Sequence, residues 1–287
     1  AVERRLLSER PMGAFLSGGY DSTVITALMA KLSSQTVKTY SIGFDHPQYN
    51  EAEYAGAVAK YLGTDHHQEI VKPDPALILQ ELAASLDQPF ADSSHIPTYL
   101  LAKYARQEVI VALGGDGGDE VYGGYNKYYM GRLNSNYTKF VPKKIHDFSH
   151  TMLNNFLHSK DDQRGLLFKA KRFLKAVNYE GDFYYNIISL GFSEVETKTI
   201  LRANNFEPDI LAYYKGKIRE KSDSISHFRS IDKHLSLEGD MLVKVDRTSM
   251  LASLESRAPF LNKELWDFTN QLPDSFLING WDKKHIL

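Results

Sequence analysis

The sequence predicts an α/β fold, a doubly wound and mostly parallel sheet followed by a mostly helical C-terminal half. Three observations carry this. Strand-like and helix-like stretches alternate through residues 1–125, the pattern of strand–helix–strand crossovers. The run Val109-Ile110-Val111-Ala112-Leu113 is continuously apolar and largely β-branched, as in a strand buried on both faces. After Tyr125 no convincing strand is found, and aromatic and basic residues become frequent.

The first strand is expected at Met12-Gly13-Ala14-Phe15-Leu16, ending at Ser17-Gly18-Gly19. Residues 21–32 then carry Val24, Ile25, Leu28, Met29 and Leu32 at helical spacing. Residues 37–42 read as a second strand closed by Gly43. Residues 51–62 read as an Ala-rich helix with Gly63 as its C-cap. A third strand is expected at 66–71 and helices at 75–86 and 96–106, ahead of the buried strand at 109–113. In the second half the spacing predicts helices at 163–178, 182–190, 193–203, 231–254 and 263–272. Residues 1–125 are thus expected to form the α/β core, and residues 126–287 a helical part of the same domain packed on it.

Composition narrows the chemistry. The 287 residues are 43% hydrophobic and 24% charged, enough apolar material for a sizeable core. No cysteine is present, which excludes disulfides, thiolate zinc sites and thiol nucleophiles within the chain. A net charge of -2 gives no overall pull toward nucleic acid or anionic membrane, and no apolar run is long enough for a spanning helix. No secretory signal is seen, and a cytoplasmic location is expected. Ala1 stands where an initiator Met would, so a longer parent protein is expected. The tract 127–175 holds 11 Lys/Arg against 3 Asp/Glu and reads as a solvated helical face rather than an RNA-binding surface. His66-His67 with Glu69 suggests a metal site only superficially, because adjacent residues on a strand face opposite ways.

Two loops carry the chemistry. Ser17-Gly18-Gly19-Tyr20-Asp21-Ser22 lies between a strand and a helix, where ligands sit in open parallel sheets. Glycines let an anion approach backbone amides, and the helix N-terminus adds unpaired N–H donors. Ser17 and Ser22 add hydroxyls. Asp21 would repel a phosphate unless a cation lies between them, so it reads as a magnesium ligand. The plainer alternative is an ordinary turn with Asp21 or Ser22 as N-cap. The second loop, Gly114-Gly115-Asp116-Gly117-Gly118-Asp119-Glu120, follows the buried strand and continues to Gly123-Gly124-Tyr125. Three carboxylates on such a loop call for a cation. Residues 114–119 also fit G-G-x-G-x-D, but one copy cannot build a calcium-binding β-roll.

The first loop resembles the pyrophosphatase loop of synthetases that cleave ATP at the α-phosphate. With the second loop, the chain resembles the synthetase domain of glutamine-hydrolysing asparagine synthetases and the related β-lactam synthetases. The segments at 89–100, 240–250 and Leu254-Glu255-Ser256-Arg257-Ala258-Pro259-Phe260-Leu261-Asn262 add to the likeness, which runs from Pro11 to the last residues.

The resemblance implies ATP and Mg2+ as cofactors. It implies that Ser17, Gly18, Gly19, Asp21 and Ser22 hold the pyrophosphate portion, with Gly114 and Gly115 in the same ATP site. Leu16, Ile42 and Gly43 would line the adenosine, and Asp21 and Asp119 would ligate Mg2+. Asp116 stands where asparagine synthetases often carry Glu, and it would act with Tyr125 and Glu120 on the catalytic side. Gly114 and Gly118 stand where some members have Ser. Asp240, Asp246 and Arg247 would bind or orient the substrate, or else form an ion pair between helices. Glu255 and Arg257 read as a structural pair.

The implied reaction activates a carboxylate, most simply aspartate, as an acyl-adenylate that ammonia attacks. An N-terminal glutaminase domain would supply the ammonia in a full-length protein. No nucleic acid or membrane partner is implied, and a homodimer stays open. Other carboxylates (a uronic acid sugar, a peptide, a β-amino acid), a tRNA-modifying enzyme of the same superfamily and a non-catalytic nucleotide-binding module are the alternatives. The family also carries a downstream lysine that contacts the pyrophosphate. Lys283 and Lys284 are not expected to replace it, and weak ATP binding with poor turnover is expected of the chain alone.

Overall fold

A computed structural model describes residues 1–44, 51–72, 74–88, 90, 92–156, 173–174, 176–179, 183–184 and 224–287. These divide into two compact units, one of residues Ala1–Tyr122 with Leu237–Leu287, the other Gly123–Ser236.

The first unit is built on a parallel sheet. A short helix α1 (Val2–Arg5) leads to β1 (Met12–Phe15), α2 (Tyr20–Leu32), β2 (Lys38–Phe44), α3 (Ala52–Leu62) and β3 (Asp65–Val71). Next come α4 (Pro75–Ser85), α5 (His95–Ala105), β4 (Val111–Leu113) and α6 (Gly118–Tyr122). The strand order is β3-β2-β1-β4-β5, where β5 is Glu255–Arg257, and all pairs are parallel. A doubly wound sheet buries apolar side chains on both faces. One face packs Tyr40, Ala112, Ala102, Ala105, Val109 and Leu254 together. Another cluster joins Leu16 to Ala55 and Ala59 of α3. Gly13 is required for the β1–β2 approach, since a Cβ there would lie 2.7 Å from the Tyr40 ring. Gly63 caps α3 in the left-handed conformation, at φ 67°.

The expected absence of strands after Tyr125 does not hold. β5 lies at the sheet edge, and a small hairpin pairs β6 (Ile278–Asn279) with β7 (Asp282–Lys283). β5 is short and polar, so it carries neither alternation nor an apolar run. It is specified instead by pairing, with the Glu255 amide donating to the Ile110 carbonyl and the Gly114 amide to the Arg257 carbonyl.

The helix expected over 231–254 is interrupted. α9 (Ile225–Asp232) is followed by a π-helical stretch, Lys233–Met241, and then α10 (Leu242–Leu251). A 3-10 turn (Pro259–Leu261), α11 (Lys263–Asn270) and α12 (Asp274–Leu277) complete the first unit.

In the second unit, α7 (Asn126–Phe140) and α8 (Lys143–Phe156) accompany α9. Tyr128 stacks on Tyr184, which stacks on Phe228, and the Tyr128 hydroxyl donates to the buried Asp232. Within the basic tract, Lys139, Lys143 and Lys144 face solvent, whereas Lys127 pairs with Asp232. The helix expected at 193–203, most of 163–178 and all of 182–190 but Phe183 and Tyr184 lie outside the described residues.

Candidate active site

Both glycine-rich loops lie at the carboxyl ends of paired strands. Loop 17–19 follows β1, and loop 114–117 follows β4, its neighbour in the sheet. α2 begins at Tyr20 with Gly19 as N-cap and no side-chain cap bond, so neither Asp21 nor Ser22 caps the helix. Instead Ser22 ties the turn: the Ser17 amide donates to its Oγ at 3.2 Å, and that hydroxyl lies 3.0 Å from Ser17 Oγ and 3.2 Å from the Gly19 carbonyl oxygen. Gly18 adopts φ 82°, and a Cβ there would sit 2.7 Å from the Tyr54 backbone. Ser17 and Gly19 are exposed, so the turn presents its polar groups outward.

The two loops touch, and glycine permits it. A Cβ on Gly115 would lie 2.9 Å from Asp21 Cβ and from the Ser22 nitrogen. A Cβ on Gly118 would lie 2.5 Å from the Asp21 carboxyl carbon. The glycine at 118 therefore lets the Asp21 carboxylate lie directly against the second loop, where a serine side chain would collide with it.

At this contact Asp21 and Asp119 share one cation. Lys284 Nζ lies 2.5 Å from Asp21 Oδ2 and 2.8 Å from Asp119 Oδ1. Burial pushes the Asp21 carboxyl up; the lysine opposes this, and Asp119 adds to it. The Lys284 ammonium is itself pushed up, because its two carboxylate partners outweigh the burial that disfavours its charge. Asp21 Oδ1 is buried without a hydrogen-bond partner. Among the described residues no group of three or more His, Cys, Asp or Glu side chains could hold a metal alone. Two carboxylates suit Mg2+, which takes its remaining ligands from phosphate and water.

Asp116 sits on the same loop, and burial pushes its carboxyl up although the charge of Lys244 opposes it. Lys244 is the functional candidate that sequence reasoning missed. It lies on α10, 6% exposed, and donates to Asp92 Oδ2 at 2.8 Å and Ser94 Oγ at 2.7 Å. The available signal was a lysine at helical spacing with Met241 and Thr248 on an otherwise inward face. Burial pushes the Asp92 carboxyl up, but Lys244 and Ser94 outweigh it and hold it below its ordinary value. A cavity of about 580 Å³ borders Asp92, His95, Phe90 and Leu82.

Leu16 is 1% exposed and its side chain belongs to the core. Ile42 and Gly43 lie near the carboxyl end of β2. Glu120 is buried on α6. Tyr125 belongs to the second unit, with the Lys127 ammonium 4.2 Å above its ring. Asp246 is exposed, Asp240 is half-buried in the π-helical stretch, and Arg247 pairs with Asp87. Arg257 pairs with Glu255 at 2.7 Å and donates to the Arg5 and Leu7 carbonyls. His66 turns to Thr39 and Ser41, while His67 stacks on Tyr40, so the two imidazoles share no ligand site.

Comparison with known sequences decides the family. The sequence model of the asparagine synthase family matches residues 1–287. The chain belongs to the asparagine synthase family. Asparagine synthetase [glutamine-hydrolyzing] 1 of Bacillus subtilis (strain 168) is 28% identical over 304 residues, covering 100% of this chain and 44% of that protein. A putative asparagine synthetase [glutamine-hydrolyzing] of Mycobacterium tuberculosis (strain ATCC 25618 / H37Rv) is 30% identical, with 100% and 43% covered. The protein named amidase chry2 of Gibberella zeae is 24% identical, with 100% and 47% covered. The chain thus spans less than half the length of each of these relatives. Among the described residues no helix is long and apolar enough to cross a membrane.

Proposed function

We propose that the chain catalyses ATP-dependent amide formation: it transfers AMP to a carboxylate, aspartate first among candidates, and ammonia then displaces the AMP to give asparagine. The observation that carries this reading is the meeting of two glycine-walled loops at Asp21, with Asp119 beside it and the exposed Ser17 and Gly19 on the first loop. The Ser17–Gly19 turn, through the Gly18 amide and the Ser17 hydroxyl, would hold the β- and γ-phosphates as one leaving group. Asp21 and Asp119 would hold Mg2+, which when bound offsets charge on the departing pyrophosphate. Asp116, whose carboxyl burial pushes up, is the candidate to take a proton from the attacking ammonia. Lys244, fixed by Asp92 and Ser94, places positive charge near that carboxylate. The names of the relatives support glutamine as the nitrogen source of a longer protein, through a glutaminase domain.

The test is pyrophosphate release from ATP and Mg2+, with aspartate and ammonia supplied together and separately, on the chain and on a full-length protein. Sustained release that needs both is expected, since aspartate alone allows at most one adenylation per site. Release driven by another carboxylate and not by aspartate would overturn the asparagine assignment.

A further inference from the structure

Lys284 is placed with more care than a surface ion pair requires. It follows the β6–β7 hairpin at φ 52°, a conformation that L side chains seldom adopt. Flanking backbone bonds hold it there: the His285 amide donates to the Leu277 carbonyl and the Ile286 amide to the Phe276 carbonyl. Its side chain is only 13% exposed and ends between carboxylates from two different loops. Two features separate this from a closed structural bridge. One ammonium serves two carboxyl groups from different elements, reaching one oxygen of each. Asp21 Oδ1 is buried and has no donor. A singly charged group therefore occupies a place whose oxygens suit a divalent cation.

We propose that Lys284 is the site's own counter-cation, holding Asp21 and Asp119 together until a divalent metal displaces it from the same oxygens. The proposal rests on the reading of Asp21 and Asp119 as the metal-holding pair. The ammonium and the metal compete for Asp21 Oδ2 and Asp119 Oδ1, so metal entry without phosphate is suppressed. Once displaced, the ammonium stays tethered beside the cradle as a positive charge available to phosphate oxygens. Lys284 thus acts as a positioning residue for the two carboxylates.

Mn2+ is the probe, titrated without nucleotide and followed by the electron spin resonance of the free ion. Lys284→Gln is expected to bind Mn2+ about tenfold more tightly than wild type, and Lys284→Arg to resemble wild type. A second measurement needs no variant. Acetylation of wild-type lysines, read by mass spectrometry, is expected to show Lys284 protected without metal and several-fold more reactive with saturating Mn2+, while the exposed Lys283 stays constant. Equal or weaker Mn2+ binding by Lys284→Gln, or labelling of Lys284 that ignores Mn2+, would overturn the role of Lys284 while leaving the metal-site reading intact. Absence of Mn2+ binding by every protein would overturn both.

Discussion

Single residues set the chemistry of this site through what surrounds them. Asp116 is the clearest case. Burial lifts its carboxyl above the ordinary 3.8, and the nearby Lys244 charge only partly offsets this. A folded-state pKa above the unfolded one means that the protonated carboxyl favours folding. That contribution is complete below the unfolded value and is lost as pH rises through the folded one. Asp116→Asn is therefore expected to melt at a higher temperature than wild type near neutral pH, with the advantage shrinking as the pH falls through the folded-state value and gone by about 4. Melting curves across that range check it, and a variant less stable than wild type at neutral pH would contradict the assignment. The same substitution is expected to slow amide formation, since Asn cannot take a proton.

Elements bring such residues together, and here α10 does more than its sequence motif suggested. Its acidic and basic residues drew attention, yet Asp246 is exposed and Arg247 joins a largely exposed pair with Asp87. The inward residue is Lys244, whose loss would leave Asp92 short of its cation. Lys244→Met is expected to cost about 2–4 kcal/mol of stability, because a part-buried carboxylate loses its partner. Arg247→Ala is expected to cost under about 1 kcal/mol, as exposed ion pairs contribute little. Urea unfolding of the two variants distinguishes them, and equal losses would refute the contrast. The helical stretch around residues 231–254 was legible from its spacing. The π-helical interruption at Lys233–Met241 was not, because its residues keep a helix-like apolar pattern while the hydrogen-bond register changes. β5 was illegible for the opposite reason. Glu255, Ser256 and Arg257 show no strand pattern, and only β4 beside them makes them a strand.

For the whole molecule, the parallel sheet and both loops were readable because sheet burial and tight strand-to-helix turns leave compact sequence marks: β-branched runs, and glycines beside carboxylates. What brings the loops into contact was not readable. Gly115 and Gly118 resemble other loop glycines in sequence, and their closeness to Asp21 emerges only when β1 and β4 pair. Lys284 was discounted from sequence because the family's pyrophosphate-contacting lysine is expected well downstream of it. The hairpin at 278–283 returns it to Asp21, 263 residues away.

A calorimetric titration of ATP with Mg2+ into wild type and Gly118→Ala tests whether the meeting of the loops makes the nucleotide site. A methyl group at 118 would sit 2.5 Å from the Asp21 carboxyl carbon, at the point where the loops converge. Saturable binding by wild type is expected, weakened about tenfold or more in a variant that still unfolds cooperatively. Equal affinity in the two proteins, or no binding by a folded wild type, would contradict the assignment of the site.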